Sequence, residues 1–417
     1  MNTAFSVRRL AFAATIGFAG MTAGPASAQD VTGALDALTR MMDLSGYELG
    51  FKDVEVNGDE IRINKVRGRL KNADAMRDAL DELDIPMDPN GSFELPVPLI
   101  INGLHDSDDG SAYVADKAYL PQMEFNIDDV DVTIGELAYN DLRLPKGDPT
   151  FLDMLTWIAG SSIGPMTITI DDRLAFEIAP ITGETKYTPS RGVGVTELDG
   201  KAEAPSIIFH LENAPDPVTG PEAEIFGNES IKGYLSSDVY WSLNDGHMII
   251  RSFVIGAEKF GQFSFTFDFT GISADLVEQL MELSRTMDPE DPAAQQQAVA
   301  LGMGILSRGF FNSFTLRYDD YGVLERAMTV MEREEGMSRQ DMVKELLGEV
   351  TGAMTELDLN DLKNKLETEV NKFAADPRNI ELRIEPQQPL PLISFMGLAA
   401  APKALADSLG VTLVANQ

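Results

Sequence analysis

Apolar and polar residues alternate along much of this chain, and between the alternating runs apolar residues recur at helical spacing. Val31, Leu35, Leu38 and Met42 share one side of a short helix that Gly46 stops. The following run, "YELGFKDVEVNGDEIRINKVRGRL" (47–70), alternates with period two, and its Asn57-Gly58 marks a hairpin turn. The same design returns further on: "FKDVEVNGDEIRINKVR" (51–67) aligns without gaps to "IDDVDVTIGELAYNDLR" (127–143). Asp53/Asp129, Val54/Val130, Val56/Val132, Glu60/Glu136, Asn64/Asn140 and Arg67/Arg143 are identical, and the apolar positions between them correspond. The pattern predicts a duplicated amphipathic β-hairpin, because every second residue of such a strand must face one apolar layer.

Around the two copies the spacing predicts a helix over 73–83, a strand over 93–103 and a helix over 149–160. "MTITIDDRLAFEIAPI" (166–181) reads as a hairpin turning on Asp171-Asp172. The segment 182–233 reads as loosely structured, with a strand-like island at 206–212. Strands joined at Asp245-Gly246 follow, and from Ile272 helices dominate, interrupted by "DPEDP" (288–292). Ser338 and Asp341 form a capping pair, and Leu362, Leu366, Val370 and Phe373 share one helical face. The expected fold class is α+β: repeated antiparallel β-hairpins forming one-faced sheets, covered by amphipathic helices, more helical toward the C-terminus. The expected modules are 29–160, 161–271 and 272–417.

Composition adds an address. Residues 1–28 read as a cleaved export signal: Arg8-Arg9, an apolar run at 10–20, and "ASA" at 26–28. A periplasmic, Sec-exported bacterial protein is therefore expected. Removing Arg8 and Arg9 with the signal takes the formal charge from −34 to −36. Such a chain lacks the clustered cations that nucleic-acid phosphates require, so no nucleic-acid partner is expected. Anionic membrane surfaces repel it on average, and the charge favours solubility. The chain has no cysteine, which removes disulfides, thiolate metal sites, cysteine nucleophiles and a lipidated-cysteine anchor. After the signal no stretch reaches the roughly 18 apolar residues of a membrane span, so no transmembrane segment is expected in the mature chain.

Candidate chemistry is sparse. His105, His210 and His247 lie in unlike settings, with no His-Glu-x-x-His spacing and no G-x-S-x-G elbow. No phosphate-binding glycine loop is present, since "GMGILSRG" (302–309) departs from G-x-G-x-x-G in spacing. The closest approach to a calcium loop is "HDSDDGSAYVAD" (105–116), with Asp106, Asp108, Asp109 and Asp116. Placing Gly110 at the sixth position puts His105 and Ser107 where oxygen ligands belong and leaves no Glu at the twelfth. A surface turn fits that stretch better, and no metal or cofactor is expected. Asp319-Asp320, in "YDDYG", stands where a strand pattern passes into a helical one. Acidic turns recur at 127–130, 170–173 and 243–246, so this pair reads as turn and helix cap rather than as a catalytic pair.

The short helix leading into "YELGFKDVEVNGDEIRINKVRGRL" and the strand-to-helix "LRYDDYGVLERAMTVMEREEGMSRQ" resemble patterns in AsmA-like and YdgA-like bacterial envelope proteins. The resemblance covers about a third of the chain and implies an exported, repetitive, β-rich protein with no catalytic residues to carry over. The cleavable "ASA" departs from the retained N-terminal membrane helix of such proteins. The expected function is non-enzymatic: envelope-associated binding of an apolar ligand such as lipid, or of an envelope protein partner. The alternatives are a structural or interaction protein without a ligand groove, and an exported hydrolase built on Asp106, Asp109 and Asp116.

Overall fold

The hairpin expected at Asn57-Gly58 forms. Strands Tyr47–Asn57 and Glu60–Leu70 pair antiparallel from Tyr47↔Leu70 to Asn57↔Glu60. Gly58 supplies the turn at φ +63°, in the left-handed region that favours glycine. Alternation then fixes facing, with Ile61, Ile63 and Val66 buried and the lysines and arginines between them left at the surface. The computed structural model describes residues 28–71, 92–127, 129–189, 191, 194–214, 218–286, 292–399 and 401–417. The expected signal apart from Ala28, the helix expected over 73–83 and most of the 288–292 breaker lie outside them.

The second copy of the pattern folds differently from the expected hairpin. At the positions aligned with Asn57-Gly58 it carries Thr133-Ile134, and a β-branched residue does not turn a strand through the left-handed region. Val130–Ile134 and Leu137–Pro145 are instead two halves of one strand running in a single direction. One antiparallel ladder runs along both halves, through Leu120↔Leu137 and Met123↔Ile134 on one side. On the other side it runs through Ile163↔Leu137 and Met166↔Ile134. Three neighbouring strands are thus interrupted at one level, at Pro121-Gln122, Gly135-Glu136 and Gly164-Pro165. Gly135 N–H donates to Pro165 O at 2.8 Å and Gly164 N–H to Glu136 O at 2.7 Å. A Cβ on Gly135 would lie 2.9 Å from the backbone of Gly164, so the crossing needs glycine. The reversal of this pair sits in the acidic "IDDV" segment, where Ile127 pairs with Val130.

These strands belong to the first of two compact units, Met1–Asp171 with Pro180–Thr185 and Arg191–Val193. Helix Ala28–Leu44 packs on its sheet and contributes Val31, Ala34, Leu38, Met41 and Met42 to a continuous core. Opposite them lie Ile61, Ile63, Leu99, Ile101, Leu120, Ile134, Leu142 and Leu144, all fully buried. Burial of each such side chain contributes about 1.5–3 kcal/mol relative to exposure. The helix and the sheet's own side chains fill the apolar face around this core, and Val54 and Val56 stay exposed on strand Tyr47–Asn57. The helix expected over 149–160 is shorter, Phe151–Thr156, capped by Thr150 and Asp153. Ile158–Ile163 is a strand, because its backbone pairs with Leu137–Pro145.

The second unit holds Asp172–Ala179, Lys186–Ser190 and Gly194–Gln417. Its sheet is an antiparallel meander in which each strand pairs with the next. The order is Glu197–Phe209, Ile231–Ser242, Met248–Ala257, Gly261–Thr270, Phe310–Asp320, Asn379–Ile384 and Val411–Ala415. Arg173–Ile178 adds a strand beside Glu197–Phe209, and Leu390–Pro391 pairs with Phe310 and Phe311. The boundary expected at 271/272 falls inside this sheet, since Gly261–Thr270 pairs with Phe310–Asp320 along its whole length. The loose segment expected over 182–233 contains the thirteen-residue strand Glu197–Phe209. Helices Ala274–Thr286 and Pro292–Arg308 interrupt the meander once, and Val323–Glu335, Arg339–Glu356 and Asn360–Ala375 interrupt it again. The fold is α+β with antiparallel pairing throughout, and its helices concentrate toward the C-terminus. No helix among the described residues is long and apolar enough to cross a membrane.

The glycine crossing gives a stability test. Gly135→Ala should lower the unfolding free energy by about 1–3 kcal/mol through overpacking. Gly50→Ala, where an added Cβ meets nothing within 4 Å, should change it by less than about 0.5 kcal/mol. Urea midpoints of the two variants check this, and equal midpoints would contradict the crossing.

Candidate functional site

The second unit's sheet sorts its residues by face. Cross-strand pairs Ile250↔Phe267, Phe253↔Phe265 and Ile255↔Phe263 join Met248–Ala257 to Gly261–Thr270. Phe263↔Tyr318, Phe265↔Leu316, Phe267↔Phe314 and Phe269↔Phe311 carry the same face onto Phe310–Asp320. Leu316↔Leu382 and Leu382↔Leu413 extend it to the far edge. Two one-residue register shifts hold this sorting in place, one between Ile250 and Phe253 and one between Phe311 and Ser313. The rings touch in a chain: Phe253–Phe265 at 4.8 Å, Phe265–Phe314 at 6.5 Å, Phe267–Phe311 at 6.2 Å and Phe263–Tyr318 at 4.6 Å between centroids. Such spacings are those of favourable offset or tilted aromatic pairs.

This face is framed rather than filled. At one end Trp241 Nε1 donates to Ile272 O at 2.7 Å, and Phe395 meets Phe311 edge-on at 6.2 Å. At the far edge, Phe373 of helix Asn360–Ala375 stands edge-on to Tyr318 at 6.1 Å. Elsewhere Phe226 stacks on Phe260, over which the Arg326 guanidinium lies at 5.8 Å. Between these supports Phe263 remains 51% exposed and Ile255 47%. Phe253, Phe265, Phe267 and Phe314 are half-buried. The first unit's sheet is more closed among the described residues, since Ile63, Leu99 and Leu142 are fully enclosed, and its apolar exposure lies on strand Tyr47–Asn57, at Val54 and Val56. An open row of aromatic rings offers an apolar chain a large contact area at low conformational cost.

The other face is ionic. Arg251 reaches Asp199 at 2.9 Å and Asp238 at 3.0 Å, and Lys201 also reaches Asp238 at 3.0 Å. The hydrogen bond from Lys201 is the first cause holding the Asp238 carboxyl below its ordinary range. His247 Nε2 lies 2.8 Å from Asp268 Oδ1, which also accepts from Asn312 Nδ2 at 2.6 Å.

The Asp319-Asp320 pair divides between these faces, as neighbours on a strand must. Asp319 takes a two-pronged bond from Arg317, which also faces Glu381 at 3.6 Å. Asp320 accepts from Gly322 N at 2.7 Å, Leu324 N at 3.0 Å and Tyr318 Oη at 2.9 Å. Gly322, at φ +102°, begins helix Val323–Glu335 without a side chain of its own, and Asp320 satisfies its open N–H groups from two residues upstream. Burial first, then the bond to Asp320, push the Tyr318 phenol well above its ordinary range. Only one of the two aspartates is therefore the expected cap.

The calcium candidates are occupied by other partners or stand apart. Asp106 lies 2.8 Å from Lys146 Nζ. Asp109 accepts from Ser107 Oγ at 2.6 Å and from Ser111 N and Oγ, and faces Arg143 at 3.2 Å. These bonds, the Ser107 hydroxyl first, hold its carboxyl far below the ordinary range. Asp108 is exposed beside Gly110, and Asp116 is exposed on strand Ala112–Leu120. Among the described residues no group of three or more His, Asp or Glu is placed to hold a metal ion. The three histidines remain apart: His105 Nδ1 is 3.1 Å from Gly103 O, and His210 lies between Glu177 and Glu212. What sequence reading left unmarked was the aromatic face, although "FSFTF" (263–267) and "FFNSF" (310–314) carry its period-two signal.

A family model described as "Uncharacterized protein" matches residues 254–416 of the chain. That match spans the strands bearing Phe263 to Phe314 and the helices between them. No curated protein matches the chain.

Two variants test the division of labour at 319–320. Asp320→Ala should lower stability by about 1–2 kcal/mol, as loss of a helix cap does, and Asp319→Ala by less than about 1 kcal/mol. Chemical denaturation of both checks the order. The stabilisation from Asp109 is present above the unfolded carboxylate pKa and is lost as pH falls through the acid range. Asp109→Asn should therefore flatten the acid side of the stability profile, measured as Tm against pH.

Proposed function

We propose that this chain is an exported, non-enzymatic protein of the bacterial envelope that binds an apolar ligand of fatty-acyl type on the aromatic face of its second unit. The observation that carries the reading is the half-open row Phe253, Phe263, Phe265, Phe267 and Phe314 on one face of the second unit's sheet. A strongly acidic protein gains nothing in solubility by leaving phenylalanines uncovered, so a bound apolar partner gives the exposure a use. The export signal read at 1–28 and the resemblance to AsmA-like and YdgA-like proteins support a periplasmic address. The hydrolase alternative gains no support from Asp106 and Asp109, which bond to Lys146 and to Ser107, Ser111 and Arg143. The interaction-protein alternative draws on one feature, the exposed Leu346, Val350 and Leu357 of the stretch from helix Arg339–Glu356 to its C-cap.

The test is direct. Purified protein should carry lipid detectable by mass spectrometry, or, once stripped, take up cis-parinaric acid with saturable fluorescence. Phe265→Ala should weaken uptake roughly tenfold or more, the equivalent of burying one phenylalanine at about 1.5–3 kcal/mol. A preparation that carries no lipid and takes up no probe would rule the reading out.

A further inference from the structure

In a chain of formal charge −34 and 24% charged residues, four stretches of sixteen or more residues carry no ionisable side chain: 10–29, 154–170, Pro292 to Ser307 and Pro386 to Pro402. The fold brings the last two together. Helix Pro292–Arg308 packs against Leu390–Pro391 and against the 3₁₀ segment Leu392–Ala399. Each presents large apolar side chains to solvent: Val299, 67% exposed, and Met303 on the helix, and Ile393 and Met396, 60% exposed, on the 3₁₀ segment. Val299 and Met303 are four residues apart and share a helical face.

The same elements border the aromatic row. Leu392 N–H donates to Gly309 O at 2.9 Å, and a Cβ on Gly309 would lie 2.8 Å from Leu392 Cδ1 and 2.9 Å from Phe269 Cζ. Phe395 meets Phe311, which in turn lies 6.2 Å from Phe267. The patch therefore packs, through Leu392 and Phe395, on the buried end of the ring row at Phe269 and Phe311.

We infer that this uncharged patch is where the protein docks on a lipid bilayer, which brings the membrane to the end of the aromatic row. The inference rests on the binding reading above. Charge selects the occupant. A second copy would bring a like charge of −36, once residues 1–28 are removed, and a protein partner held by ion pairs would find none to make within the patch. A zwitterionic bilayer asks only for apolar side chains that enter its interface, which this patch supplies. An anionic bilayer should bind less well, because the rest of the molecule is repelled.

Vesicle flotation with the full chain tests this. The protein should rise with phosphatidylcholine vesicles, and less of it with vesicles that contain phosphatidylglycerol. Met303→Glu with Met396→Glu should cut the bound fraction at least tenfold while cis-parinaric acid uptake from buffer is retained. Val299→Gln with Ile393→Gln, which adds no charge, should act in the same direction and guards against misfolding of the first variant. Absence of flotation with probe uptake intact would overturn the docking inference and leave the binding reading standing. Loss of both in the wild-type protein would remove the binding reading as well. A dimer in light scattering that the substitutions convert to monomer would assign the patch to a second copy and overturn the inference.

Discussion

Two one-residue shifts of register govern what the second unit can do. A strand alternates faces with period two, so a slip of one residue would send half of its aromatic rings to the ionic side. Between Ile250 and Phe253 the strand takes an extra residue, and Phe253 returns to the face of Ile250. Between Phe311 and Ser313 a second extra residue keeps Phe311 and Phe314 together on that face. Bulges of this kind re-aim side chains without ending the ladder. With them, the ring row drawn from Met248–Ala257, Gly261–Thr270 and Phe310–Asp320 stays on one face, away from the face that carries Arg251, Asp268 and Arg317.

The two units meet the same demand in different ways. In the first, helix Ala28–Leu44 packs on the apolar layer and forms a continuous core with it, leaving Val54 and Val56 exposed. In the second, the helices insert at the strand ends and at the far edge, where Phe395 and Phe373 touch the rings at 6.2 Å and 6.1 Å. The layer is most open at Ile255 and Phe263, near the turn that joins Met248–Ala257 to Gly261–Thr270. On the proposed reading, this partly uncovered face is the binding surface, and the uncharged elements at its border are its side of access.

Much of the fold was legible wherever local chemistry and hydrophobic period agreed. The Asn57-Gly58 hairpin, the Gly336 end of helix Val323–Glu335 and the Ser338 cap are of this kind. Where they disagreed, the pattern misled. The repeat at 127–143 preserves the alternation of 51–67 but replaces Asn-Gly by Thr-Ile, and the chain runs straight on where the first copy turns. Strand Glu197–Phe209 carries "ELDGKAEAP", whose period-two stripe of Leu198, Gly200, Ala202 and Ala204 is too small in side chain to mark a strand until Ile231–Ser242 pairs with it. At Asp319-Asp320 the sequence showed a cap but not which carboxylate makes it, because that depends on which face each residue takes. The aromatic row was present as "FSFTF" and "FFNSF", yet its exposure depends on where distant helices pack, which no local pattern records.

The central claim is that an apolar ligand lies along the ring row, and covalent capture addresses it most directly. A fatty acid bearing a photoreactive diazirine would be bound, irradiated and its adducts mapped by peptide mass spectrometry. The account predicts adducts within Met248–Ala257, Gly261–Thr270 and Phe310–Asp320. Adducts confined to the first unit or to helix Arg339–Glu356, or none at all, would contradict it.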